Sequence, residues 1–178
     1  MKKVLLILCL LAGFSITQAQ DQYSEAPGLK AGFGVNYVSE IASVGGSLDL
    51  IYEIDQKWSI GNTNMFTVSK LPNKDRLKWL AIDLNARYKV FKELYLLAGG
   101  QFLAETLIEK TLIGGFISGE QVLYNSKFGG NIGAGYTYHL ISNVNIFAEI
   151  KYTFLSSEST PVMSSSYMQA RIGMVFDL

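Results

Sequence analysis

Polar and apolar positions alternate through most of the chain. Ala31, Phe33, Val35 and Tyr37 share one face, and Lys30, Gly32, Gly34 and Asn36 share the other. Leu48, Leu50, Tyr52 and Ile54 then oppose Ser47, Asp49, Ile51 and Glu53. Leu80, Ile82, Leu84, Ala86 and Tyr88 oppose Asp83, Asn85 and Arg87. Phe128, Ile132, Ala134, Tyr136 and Tyr138 oppose Lys127, Gly129, Asn131, Gly133, Gly135 and His139. Val144, Ile146, Ala148, Ile150, Tyr152 and Phe154 oppose Asn145, Glu149, Lys151 and Thr153. The chain closes with Met168, Ala170, Ile172, Met174, Phe176 and Leu178 opposing Gln169, Arg171, Gly173 and Asp177. A period of two sustained this long predicts strands with two unlike faces.

Two further segments are less regular. Leu94–Glu105 is apolar on both faces until Gln101 and Glu105. Trp58–Val68 begins in phase with Trp58 and Ile60, and then places Asn62 and Asn64 on the apolar face. A β-bulge near Gly61 would reset that parity. The expectation is therefore eight strands, one of them bulged.

The connections alternate in length. Asp55–Lys57, Phe91–Glu93 and Leu140–Asn143 read as tight turns, and Val38–Val44, Ser69–Arg76, Thr106–Gln121 and Leu155–Ser165 as longer loops. The third loop contains the apolar stretch Leu112–Ile117 and is expected to prolong its hairpin. Ser156–Thr160 and Ser164–Ser166 read as hydrophilic loop. Pro27, Pro72 and Pro161 fall outside the strands, where a missing N–H does no harm.

The first residues need a separate account. Met1-Lys2-Lys3 is a basic start, Val4–Phe14 an apolar core, and Ala19 the small residue of a cleavage site. This predicts a secretory signal over 1–19, then a short segment 20–27 and one domain over 28–178. Cys9, the chain's single cysteine, lies within the signal, so no disulfide is expected in the mature protein. Without Lys2 and Lys3 the count is thirteen basic against fifteen acidic residues. That balance argues against a nucleic-acid partner. One His and one Cys leave no Cys/His metal site and point to no cofactor.

A two-faced closed sheet turns its apolar face inward in water and outward in lipid. The apolar face here carries large residues on nearly every strand, which would overfill a small interior. The polar face carries glycines at 32, 34, 99, 129, 133, 135 and 173, which suit a narrow lumen. Tyr52, Trp58, Tyr88, Tyr136 and Tyr138 near the short turns, with Tyr37 and Phe154 near the long loops, fit interfacial girdles. The fold class expected is all-β: a closed, eight-stranded antiparallel transmembrane barrel.

With its signal, eight alternating strands, alternating short and long connections and the terminal strand Arg171–Leu178, the chain resembles the small outer-membrane β-barrels. The plan is similar to the OmpA/OmpX-type barrels and the porin-like barrels of Bacteroidota. Leu178 stands where that family usually has an aromatic residue, with Phe176 two positions earlier on the same face. The resemblance implies an outer-membrane location, lipid as the surrounding partner, a single copy, and long loops facing an external ligand or protein.

The lumen would then hold Asp49, Glu53, Asp83, Glu105 and Glu149 with Lys30, Arg87, Lys89, Lys127, Lys151 and Arg171. Their near balance reads as a salt-bridged plug, with a narrow water or ion path as the alternative. Some barrels that resemble this one modify lipid A through a His, a Ser and an acid. Here His139, with Ser142 and Glu149 near in sequence, is the candidate. A lone histidine in a tyrosine-rich girdle, on the side away from the outer leaflet, argues for a polar rim residue instead. The expected function is non-enzymatic: structural, adhesive or narrow-pore. The alternatives are a lipid A-modifying enzyme and a soluble periplasmic barrel that binds an apolar ligand. No catalytic, cofactor or metal residue is assigned.

Overall fold

The computed structural model describes residues 28–70, 75–91, 93–113, 116–156 and 166–178. The expected signal peptide, the segment 20–27, the three prolines and most of the serine-rich tracts lie outside the described residues.

Eight strands form one closed antiparallel barrel in sequence order. They are β1 (Gly28–Val38), β2 (Ser43–Glu53), β3 (Trp58–Lys70), β4 (Arg76–Lys89), β5 (Leu94–Ile113), β6 (Phe116–Ile141), β7 (Val144–Leu155) and β8 (Ser166–Asp177). Closure is made by β1 against β8, from Lys30 opposite Asp177 to Val38 opposite Gln169. Phe176 stacks on Phe33 across this seam, with ring centroids 6.0 Å apart. Closure removes the sheet edges, whose unpaired N–H and C=O groups a bilayer could not satisfy. Strands of 11–14 residues, as in β1–β4, β7 and β8, meet the requirement of roughly 9–11 tilted residues for a span.

The parity is as the alternation requires. Ile82, Leu84, Ile150 and Ile172 are exposed on the outer wall, and Asp83, Arg87, Glu149, Lys151 and Arg171 are buried inside. The girdle residues Tyr37, Tyr52, Trp58, Tyr136, Tyr138 and Phe154 all face outward.

Three expectations are corrected. The bulge near Gly61 does not exist: β3 keeps unbroken register with β2 and with β4. Asn62 and Asn64 therefore stand on the outer wall. Asn62 Nδ2 donates to the Asp83 carbonyl (3.1 Å), and Asn64 Nδ2 donates to Asn62 Oδ1 (2.7 Å). These bonds lower the penalty of the polar parity without a change of register.

The Val38–Val44 connection is a four-residue turn, Ser39–Ala42, rather than a long loop. Ala42 sits at φ 43°, in the left-handed region. Ser39 N and Oγ bond to Met168, and Ser69 Oγ donates to the Ile41 carbonyl (3.2 Å). The turn is folded over the barrel mouth, so Ile41 points into it.

The interior is also less uniformly polar than alternation suggests. Apolar layers lie near both of its ends. The predicted prolongation of the hairpin is present: β5 and β6 stay paired beyond β4 and β7, out to Ile113 opposite Phe116, with one register shift at Thr111/Leu112.

Candidate functional site in the barrel interior

The barrel end with the short turns opens into a cavity of about 270 Å³. Its rim is a chain of polar contacts. His139 Nδ1 meets Asn145 Oδ1 at 2.9 Å, and Asn145 Nδ2 donates to Asp177 (3.4 Å). Lys30 Nζ bridges Asp177 and Glu53, each at 3.0 Å, and Lys89 Nζ reaches Glu53 at 3.0 Å. The chain of contacts ties β6, β7, β8, β1, β2 and β4 together and includes the closure seam. In the adjacent turn, Asp55 Oδ1 accepts the backbone N–H groups of Lys57 and Trp58, each at 2.7 Å. Those two bonds hold the Asp55 carboxyl below its ordinary range.

Ile51, Phe147 and Val175 form an apolar layer just inside this mouth. Beyond it lies a four-membered ion cluster. Arg171 Nη2 meets Asp49 at 2.8 Å and Arg171 Nε meets Glu149 at 3.2 Å. Arg87 Nη2 lies 3.4 Å from Glu149 and 3.9 Å from Asp49. Thr63 Oγ1 donates to Asp49 (2.6 Å) and Tyr95 OH donates to Glu149 (3.0 Å). Each guanidinium also covers a ring: Arg87 lies over Tyr95 and Arg171 over Phe147, 5.3 and 5.1 Å from the centroids. Further outward, Lys151 pairs with Asp83, Gln101 donates to Asp83 (2.6 Å), and Tyr167 donates to Gln101.

Two glycines explain how such large groups fit. A Cβ at Gly61 would lie 3.1 Å from Arg87 Nε and 3.2 Å from its Cζ. A Cβ at Gly135 would run into the Tyr95 ring. These glycines are seats for side chains of the neighbouring strand, a more specific role than a generally narrow lumen requires.

A second apolar layer lies at the end away from the short turns. Val38, Ile41, Met65, Leu77, Trp79, Leu103, Leu155 and Tyr167 pack into one buried apolar cluster. Trp79 Nε1 donates from this layer to Glu105 (3.1 Å), which also accepts from Asn125 (3.3 Å). Sequence reasoning placed the lumen charges correctly and missed Tyr95, Trp79, Phe147 and Tyr167. Tyr95 and Phe147 have outward apolar neighbours on both sides, and Trp79 and Tyr167 have one each in Leu80 and Met168, so none of the four stands out from the apolar face by residue type.

The three residues weighed as an acyl-transfer set do not converge. The His139 ring bonds to Asn145, Ser142 lies in the turn before β7, and Glu149 is held by the two arginines and Tyr95. Among the described residues no group of His, Cys, Asp and Glu is arranged as metal ligands.

No protein-family model and no curated protein matches the sequence. Solved structures do. The barrel matches a major outer membrane protein of Thermus thermophilus with a TM-score of 0.72 at 11% identity, over 86% of this chain and 100% of that one. Ail, the attachment invasion locus protein of Yersinia pestis, matches with a TM-score of 0.54 at 15% identity, over 85% and 97%. CarO of Acinetobacter baumannii matches with a TM-score of 0.53 at 14% identity, over 89% and 100%. At such identities the likeness is one of fold: this chain has the fold of the small eight-stranded outer-membrane barrels.

Proposed function

We propose that the chain is a non-enzymatic, non-conducting barrel of the outer membrane that displays the β5–β6 hairpin as an external contact surface. The hairpin is the observation that carries this reading. Among the described residues, β6 from Phe116 to Lys127 is paired only with β5. At ~3.3 Å per residue this is about 40 Å of strand with one edge that no other described residue pairs with. Val122, Leu123 and Tyr124 are exposed on it, and Tyr124 is 81% exposed. An uncovered edge offers backbone donors and acceptors to an extended partner segment, and alternate side chains give selectivity. Natural edges are usually blunted by Lys or Pro, and Val122–Ser126 contains neither. The balanced ion cluster and the apolar cluster at the outer mouth support the non-conducting part. Ail, of the same fold, has been solved with the heparin analogue sucrose octasulfate. For this chain an extended protein segment is the better fit, because the edge supplies backbone groups rather than a basic patch.

The test uses cells displaying the protein and a variant in which residues 106–124 are replaced by a two-residue Asn-Gly turn between the paired residues Glu105 and Asn125. Deletion is expected to abolish attachment to protein-coated surfaces and to leave the heat-shifted barrel band intact. Planar bilayers containing the intact protein should show no conductance steps, and lipid A composition should not change on expression. Attachment unaltered by the deletion refutes the contact surface, and unitary conductance refutes the closed lumen.

A further inference from the structure

The outer wall of β3 carries a polar pair where the bilayer is most apolar. Asn64 is the central residue of the strand Trp58–Lys70, and Asn62 lies two positions nearer the short turns. Their lateral neighbours on the same wall are Leu48 and Leu50 of β2 and Ile82 and Leu84 of β4. Polar side chains facing hydrocarbon are expensive and mark interaction sites, and amides in particular join neighbouring spans. The two asparagines satisfy each other only in part. Asn62 uses one N–H on the Asp83 carbonyl, and its oxygen accepts from Asn64. Asn64 makes that one side-chain bond among the described residues, which leaves a carbonyl oxygen and a second N–H facing outward.

We infer that this face of β3 is an intramembrane interface for a second copy of the same chain, joined by reciprocal Asn64–Asn64 amide hydrogen bonds. Two features select this occupant. A primary amide is self-complementary, because the donor and acceptor left on one copy are what the other copy needs. Copies also insert with the same polarity, so a two-fold axis along the membrane normal brings residue 64 opposite residue 64 at equal depth. A different barrel would need its own polar group at that depth. The two-fold also sets Leu48 of one copy opposite Ile82 of the other, which surrounds the amide pair with apolar side chains. A paired barrel of this kind replaces the single copy expected from the sequence.

The experiment places one thiol beside the amide pair and leaves Asn64 in place. Asn62→Cys is made in a Cys9→Ser background, and outer membranes are treated with a short bismaleimide. Ile150→Cys serves as control, because Ile150 is an exposed outer-wall residue on β7, the strand opposite β3 in the ring. The expected result is a covalent band of twice the chain's mass, at least tenfold stronger for Asn62→Cys than for Ile150→Cys. Adding Asn64→Leu should reduce it at least tenfold, and adding Asn64→Gln should preserve it. All variants should keep the heat-shifted folded band. Equal crosslinking at 62 and 150, indifference to Asn64→Leu, or an adduct of any other mass would overturn the proposal.

Discussion

Arg171→Met removes the cation that Asp49 and Glu149 share, and the outcome reports how dry the lumen is. Arg171 is nearly fully buried and lies 2.8 Å from Asp49 and 3.2 Å from Glu149. At an effective dielectric of about 20 each contact is worth roughly 5–6 kcal/mol, and in bulk water about 1.5 kcal/mol. Desolvation offsets much of the larger figure. Measured losses on breaking a buried pair are about 3–5 kcal/mol, most of it the penalty of the stranded charge. Arg87 remains 3.4 Å from Glu149, so Asp49 is the group stranded most severely. Urea unfolding in detergent micelles, followed by the heat-shifted band, should show a loss of about 3 kcal/mol for Arg171→Met. Asp49→Asn/Arg171→Met keeps the Thr63 hydrogen bond and the Arg87–Glu149 pair, and should recover to within about 1 kcal/mol of the unaltered protein. If the single variant loses less than about 1 kcal/mol, the charges are screened by continuous water. The closed lumen would then be wrong.

Four further outcomes are expected. Ile150→Arg sets a cation on the outer wall and should destabilise the inserted barrel by about 2–4 kcal/mol, measured against lipid vesicles, while Ile150→Leu is neutral within about 0.5 kcal/mol. Gly135→Ala should cost about 1–3 kcal/mol, because a Cβ there would run into the buried Tyr95 ring. Gly46→Ala, where a Cβ would meet nothing within 4 Å, is the control for substitution alone. Ala42→Gly should stabilise by about 0.5–1 kcal/mol, since relief of the left-handed backbone exceeds the added entropy of the unfolded chain. The Asp55 carboxyl is held below its unfolded value, so its contribution is present above that value and disappears as pH falls through the folded one. The midpoint difference between the protein and Asp55→Ala should therefore narrow on acidification.

Much of this architecture was legible because period-two alternation is local and each strand declares its own faces. All eleven lumen charges were assigned from parity, and Asp83 with Lys151 or Asp49 with Arg171 stand where parity puts them. Their pairing was not legible, because it depends on which strands face each other across the lumen. Asn62 and Asn64 misled for a related reason. Parity reasoning treats a polar residue on an apolar face as a register error, yet hydrogen bonds between two adjacent amides and the β4 backbone let the regular register persist. The apolar layers near both ends of the lumen stayed hidden because inward residues such as Leu103, between Phe102 and Ala104, and Phe147, between Ile146 and Ala148, have apolar neighbours on both sides. The seat at Gly61 needed the register with β4 before Arg87 could be placed over it.

The interior ion pairs have a consequence for how the barrel is made. Asp49 and Arg171 are 122 residues apart, and Asp83 and Lys151 are 68 apart. The leading half, β1–β4, brings Asp49, Asp83 and Arg87 to the inner wall, while Glu149, Lys151 and Arg171 arrive on β7 and β8. A sheet inserted halfway would hold Asp49 and Asp83 without Arg171 and Lys151, the cations that pair with them in the closed barrel, beside unpaired strand edges. Such an intermediate lies high in free energy, and contacts of long sequence separation form late. Lys151 and Arg171 can complete these pairs only once β7 and β8 have joined, so the polar interior is finished in the same event that closes the sheet.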